Sequence, residues 1–141
     1  MIIEGKQIIG FDRVAEGTET FQSVNPALGT KLEYKFVKAT VQEANTACEK
    51  AAAAFQVHRK KSGIEKAVFL ETIAEEIKAL GDQLIEVCCA ETALPKPRIE
   101  GERGRTVNKL LMFAALLRQG SWLDARIETA EPMRPPLPKP D

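Results

Sequence analysis

Apolar positions alternate with polar ones up to about residue 38 and recur every three or four residues beyond it, a switch from strand to helix periodicity. Ile2–Ile3 and Ile8–Phe11 flank Glu4-Gly5-Lys6 and predict a short strand or hairpin with Gly5 in the turn. Thr18–Val24 predicts a further strand, stopped by the turn-forming run Asn25-Pro26-Ala27-Leu28-Gly29. Alternation resumes over Lys31–Lys38 through Leu32, Tyr34 and Phe36 and completes a second hairpin. Isolated hairpins are marginal in water, so this thin β layer must pack on something.

The helices supply that surface. Thr40-Val-Gln-Glu43 is a capping-box pattern, and Val41, Ala44, Cys48, Ala51 and Phe55 then mark one face of a helix running to about His58. Ser62-Gly-Ile-Glu65 is a second capping box. Its helix puts Phe69 or Leu70, Ile73, Ile77 and Leu80 on a buried stripe, and Gly81 closes it. Asp82 is placed to cap the segment Gln83–Thr92, which carries Leu84, Ile85, Val87 and Cys88. Val107, Leu110, Leu111, Ala114 and Leu117 mark the inner face of a last, long helix that Gly120 can end. The expected fold class is α+β, with N-terminal β hairpins followed by a packed set of about four helices sharing one core. Ser121–Ile127 reads as a short extended piece. Glu131–Asp141, with five of the chain's eight prolines, reads as polyproline II or linker.

Glu91–Arg105 separates the helices before and after it. Pro95 and Pro97 cannot continue a helix ending near Thr92, and Pro97 suits the first turn of a new one. There Glu100 precedes Arg103, and Glu102 precedes Arg105, by three residues. Charge patterning alone makes this a solvated, salt-bridged first turn.

Twenty basic and twenty acidic side chains cancel in 141 residues, which gives no electrostatic case for nucleic acid or an anionic membrane as a partner. No apolar run is long enough to span a bilayer, and MIIEGKQIIG lacks a basic region followed by an apolar one, so the cytoplasm is the expected location. Cys48, Cys88 and Cys89 are odd in number and suggest no disulfide framework. Cys88 and Cys89 read as buried helical thiols, with no base nearby to make either a nucleophile. The single histidine, His58, lies in a His-Arg-Lys-Lys run, where complementing its helix's negative end is the simpler reading and a catalytic role the other. No metal site is expected. Gly101 and Gly104 make no dinucleotide fingerprint, since no strand precedes them and a third glycine is missing.

The turn NPALG at Asn25–Gly29, the helix TVQEANTACEKAAAAF, the helix AVFLETIAEEIKAL, the segment DQLIEVCCAETALP and the helix ending LLMFAALLRQG, in that order behind a β N-terminus, carry a likeness. Over nearly its whole length the chain resembles the N-terminal part of the aldehyde dehydrogenase superfamily. RIEGERGRT at Arg98–Thr106, GSWLDARI at Gly120–Ile127 and the proline-rich tail are similar, more narrowly, to the branch oxidising 2-oxoglutarate semialdehyde, or 2,5-dioxovalerate. Ala93 stands where the family has glycine in a Glu-Thr-Gly-x-Pro pattern.

The resemblance implies a division into a hairpin-and-helix part, 1–120, and an extended proline-rich segment, 121–141, leading into an oligomerisation hairpin. It implies a homo-oligomeric parent that oxidises an aldehyde with NAD or NADP. The family's catalytic cysteine, general-base glutamate, oxyanion-binding asparagine and cofactor turn would all follow Asp141. No catalytic residue and no bound cofactor are therefore expected on this chain alone, and the piece is expected to be inactive. The helix holding Arg105 and Phe113 resembles one bordering the substrate tunnel, and a guanidinium can hold a carboxylate in a bidentate fork. Arg103, Arg105 and Phe113 are thus the candidate substrate-binding residues, with Arg98 behind them. Two other readings stay open, a stand-alone helical interaction module with a polar exterior and a truncated subunit that regulates intact enzyme. The enzyme-part reading instead expects a large exposed apolar surface.

Overall fold

The computed structural model describes residues 3–127 and 129–139. It is an α+β arrangement of strands β1 (Gln7–Ile9), β2 (Asp12–Val14), β3 (Thr20–Asn25) and β4 (Thr30–Val37), followed by helices α1 (Val41–His58), α2 (Gly63–Ala79), α3 (Gly81–Thr92) and α4 (Lys96–Gln119). The strands form two separate antiparallel hairpins, β1–β2 and β3–β4.

The first hairpin turns at Gly10 and Phe11, not at the predicted Gly5. Gly10 has φ +67° at the first loop position, which suits the primed turns that two-residue hairpins use. Gly5 also has positive φ, for a different reason: a Cβ there would collide with the Lys35 carbonyl, and its own carbonyl accepts from the Val37 amide at 2.9 Å. The sequence signal of a special glycine was sound, but it marked a close approach to β4. Ile2 lies outside the described residues.

The second hairpin follows expectation. Asn25 Oδ1 accepts from the amides of Ala27 and Leu28, an Asx arrangement that fixes the turn. The register shifts between Gln22 and Val24, and Phe21 stacks on its cross-strand partner Phe36 with ring centroids 5.3 Å apart. Leu32, Tyr34 and Phe36 are half-buried and alternate with exposed Glu33 and Lys35. Burial, and the Glu91 carboxylate beside it, push the Tyr34 hydroxyl up.

Both capping boxes form. Thr40 accepts from the Glu43 amide at 3.1 Å while Glu43 Oε2 accepts from the Thr40 amide at 2.7 Å, and Ser62 and Glu65 repeat the exchange. Glu43 does more than cap. Only 3% exposed, its other oxygen accepts from the Glu16 amide at 3.0 Å and ties the segment after β2 to α1. These hydrogen bonds, first from Glu16 and then from Thr40, hold its carboxyl below the usual range.

The predicted inner face of α1 does not face inward. Val41 is 79% and Phe55 55% exposed, and Ala44, Cys48 and Ala51 are exposed as well. The helix lies on β1 at its middle, where Lys50 donates to the Ile9 carbonyl at 3.2 Å and pairs with Asp12, and its far end meets α2 through the His58 and Phe69 rings. The shared core is therefore built by α2, α3 and α4, with α1 to one side.

That core runs on small side chains. Gly63, Ala67, Leu70, Ala74 and Ile77 follow one line along α2, with Ala67 and Ala74 fully buried. Val107 and Ala114 are their buried counterparts on α4, with Leu110, Leu111 and Leu117 half-buried, as expected for that face. A Cβ on Gly63 would come within 2.6 Å of the Leu117 carbonyl, so the start of α2 touches the end of α4 and the two run antiparallel. Leu70 rather than Phe69 faces inward, and Leu80 is partly exposed. Ile85 of α3 is fully buried.

At the α2–α3 corner Leu80, not Asp82, holds the cap position, and no side chain caps the helix. Asp82 instead faces Lys96 at 3.6 Å. Gly81, at φ +57°, makes the corner. Ala93 ends α3 at φ 57° and ψ 15°, the left-handed conformation that glycine takes without cost. Pro95 caps α4, Pro97 lies in its first turn, and Gly120 ends it at φ +69°.

Beyond α4, Ser121–Leu123 form a turn of 3-10 helix instead of an extended piece. The proline-rich tail folds back on itself: the Glu131 and Lys139 backbones exchange hydrogen bonds at 3.1 and 3.2 Å. The last two tail residues lie outside the described residues.

Candidate functional site

The sequence-predicted residues all stand on α4, but the helix separates them. With 3.6 residues per turn, Arg103 and Arg105 project roughly 200° apart. Arg98, Glu102, Arg105, Lys109 and Phe113 fall within about 80° of arc on the outward side. There Glu102 Oε1 accepts from Arg98 at 2.7 Å and from Arg105 at 3.1 Å. Of the two pairs that charge patterning suggested, Glu102–Arg105 is present and Glu100–Arg103 is not, since Glu100 faces Lys96 at 3.9 Å and Arg103 donates to Gly81. The outward face continues into Met112, Phe113 and Leu116, all exposed. Phe113 is 49% exposed.

Arg103 points the other way, along the seam that holds Ile99 and Val107. Its Nη1 donates to the Gly81 carbonyl at 2.8 Å, bracing the α2–α3 corner against α4. On this side a cleft of about 330 Å³ opens between the three helices, lined mainly by apolar side chains. Cys88 borders this cleft, half-buried, while Cys48 is exposed on α1. His58 ends α1 with its ring edge against Phe69, centroids 5.7 Å apart.

Two groups that sequence reasoning passed over organise the surroundings. Glu71 of α2 and Arg118 of α4 form a two-point ion pair, which sequence spacing could not signal because the partners are 47 residues apart. Glu43 was legible as a cap, but its reach to Glu16 was not.

Gly101 and Gly104 lie inside α4, where backbone amides serve the helical ladder, so they do not fit the phosphates of a nicotinamide dinucleotide. No step involving that cofactor is assigned to the described residues. Among them, no group of His, Cys, Asp and Glu side chains is placed to hold a metal ion, and no helix is long and apolar enough to cross a membrane.

The arrangement can bind and orient an anion on the outward face of α4, beside an aromatic and apolar strip. The profile of the aldehyde dehydrogenase family matches residues 13–133. The chain is 43% identical over its whole length to alpha-ketoglutaric semialdehyde dehydrogenase 2 of Azospirillum brasilense, covering 27% of that protein. It is 42% identical over 97% of its length to alpha-ketoglutaric semialdehyde dehydrogenase of Acinetobacter baylyi, covering 26% of that protein. The chain thus spans about a quarter of the length of these curated relatives.

Proposed function

Since this chain belongs to the aldehyde dehydrogenase family, we propose that it forms the N-terminal quarter of an NAD- or NADP-dependent enzyme oxidising 2-oxoglutarate semialdehyde to 2-oxoglutarate. The names of the two relatives support the substrate class. In this reading the chain supplies one wall of the substrate tunnel. The nucleophile, the base and the cofactor site belong to sequence beyond it, in a homo-oligomeric cytoplasmic protein.

The observation that carries the reading is that Arg105 and Phe113 share the outward face of α4. Arg105 is the more exposed partner in its ion pair, with 65% of its side chain accessible, so it can exchange Glu102 for a substrate carboxylate. Phe113 then lines the approach of the aldehyde end. Arg103, occupied at Gly81, serves as a brace that orients the helix. Exposed Phe55, Val57, Phe69, Met112 and Leu116 favour this reading over a stand-alone module, which called for a polar exterior.

In the intact dehydrogenase, Arg105→Leu is expected to lower kcat/KM for 2-oxoglutarate semialdehyde by about ten- to a hundredfold, the loss of one charge-assisted hydrogen bond. Pentanal, which has no carboxylate, should be oxidised as before. Equal losses on both aldehydes, or none, would remove Arg105 from substrate recognition.

A further inference from the structure

Arg103 is out of keeping with the seam it occupies. Its neighbours along that side of α4 are Ile99, Val107 and Leu110, and it is itself half-buried. Among the described residues its guanidinium donates only to the Gly81 carbonyl and has no carboxylate within ion-pairing distance. A guanidinium carries five N–H donors, so most of these remain open to a further acceptor, and none of its nitrogens is buried without a partner. The cleft beside it has Ile77, Leu84 and Ile99 in its lining and Thr106 at its rim. Glu102 borders the cleft too, but its carboxylate is engaged by Arg98 and Arg105. An apolar lining of about 330 Å³ with a few convergent polar groups is the pattern of a small-molecule site.

We propose that this cleft binds a straight-chain aliphatic carboxylate, with the carboxylate on Arg103 and the chain along Ile77, Leu84 and Ile99. A planar guanidinium matches a carboxylate in a two-point fork, and the exposed Thr106 hydroxyl is a further donor at the mouth. An apolar tail displaces water from the lining, which a compact dicarboxylate would not do. The two arginines lie on opposite sides of α4, and the site shares with the Arg105 reading only Glu102, which borders the cleft and pairs with Arg105.

The test is alkylation of the full 141-residue chain in the presence of octanoate, with each cysteine followed by peptide mass mapping. Octanoate should slow modification of Cys88, which borders the cleft, in a saturable manner and leave exposed Cys48 unchanged. Octanamide, of equal length but uncharged, should need about tenfold more for the same protection. Arg103→Lys should retain protection, and Arg103→Met with an unchanged circular dichroism spectrum should abolish it. If Arg103→Met loses helix, Thr106→Trp, a substitution at an exposed rim position, serves instead by closing the mouth. Equal protection of Cys48 and Cys88, equal potency of octanamide, or protection that survives in a folded Arg103→Met or Thr106→Trp protein would overturn the proposal.

Discussion

Arg118 and Glu71 lock α4 to α2 through two parallel contacts, Nε to Oε1 at 2.9 Å and Nη2 to Oε2 at 2.6 Å. The hydrogen bond from Arg118 holds the Glu71 carboxyl below its usual value of 4.5. Stability from this pair is therefore present above that value and lost as pH falls through the lowered one. Both side chains are partly exposed, so salt should screen the pair. Arg118→Leu is expected to lower Tm at neutral pH and low salt, with the gap to wild type narrowing in acid and in molar salt. A gap indifferent to both would show that the ion pair contributes nothing and that only packing was lost.

The capping box of α2 offers a second titration. Lys61, followed by the Ser62 amide, lowers the Glu65 carboxyl from 4.5 to about 2. A depressed acid stabilises the fold above its unfolded value and ceases to do so as pH falls through the folded one. Thermal unfolding of wild type and Glu65→Gln between pH 6 and pH 2 should show a difference that is constant down to about pH 4.5 and closes toward pH 2.

Ala93 bears a conformational cost that glycine would not. An L-residue in the left-handed region is disfavoured by roughly 1–2 kcal/mol, against which the added freedom of glycine in the unfolded chain costs about 0.4–1 kcal/mol. Ala93→Gly should therefore stabilise the chain by about 0.5–1 kcal/mol in urea unfolding. A destabilised variant would mean that the Ala93 methyl makes contacts worth more than its strain.

Gly101 and Gly104 weaken the middle of α4 with no steric need that the chain itself shows, since a Cβ at either meets nothing within 4 Å. Replacing each with alanine should add about 0.8–1 kcal/mol of stability, and the pair about twice that. Urea midpoints of the single and double variants measure this directly. In the proposed intact dehydrogenase a loss of activity from the same substitutions would show that another part of the protein packs closely against these positions.

How much the sequence disclosed depended on the range of the interaction. Capping boxes, the Asn25–Gly29 turn, the proline entry to α4 and its Gly120 exit rest on contacts within a few residues, and each was legible. The face of α1 was not, because periodicity reveals an apolar stripe but not whether anything within the chain covers it. Gly5 was recognised as special and given the wrong reason, since its close neighbour, Lys35, comes from another hairpin. At the candidate site, pattern alone put Arg103 and Arg105 together. Only the helical phase separates the brace at Gly81 from the arginine on the open side.

The uneven burial of α1 has a consequence for hydrogen exchange. Glu43 anchors the first turn to the segment around Glu16 and Lys50 ties the middle to Ile9 and Asp12, whereas every residue from Ala51 to His58 is exposed. Opening the second half therefore uncovers little new surface, while releasing the first half must break the buried carboxylate's hydrogen bonds. Amide protection should fall along the helix from its N-terminal anchor toward Phe55 and Val57, and a partner covering those two side chains would make the gradient flatten.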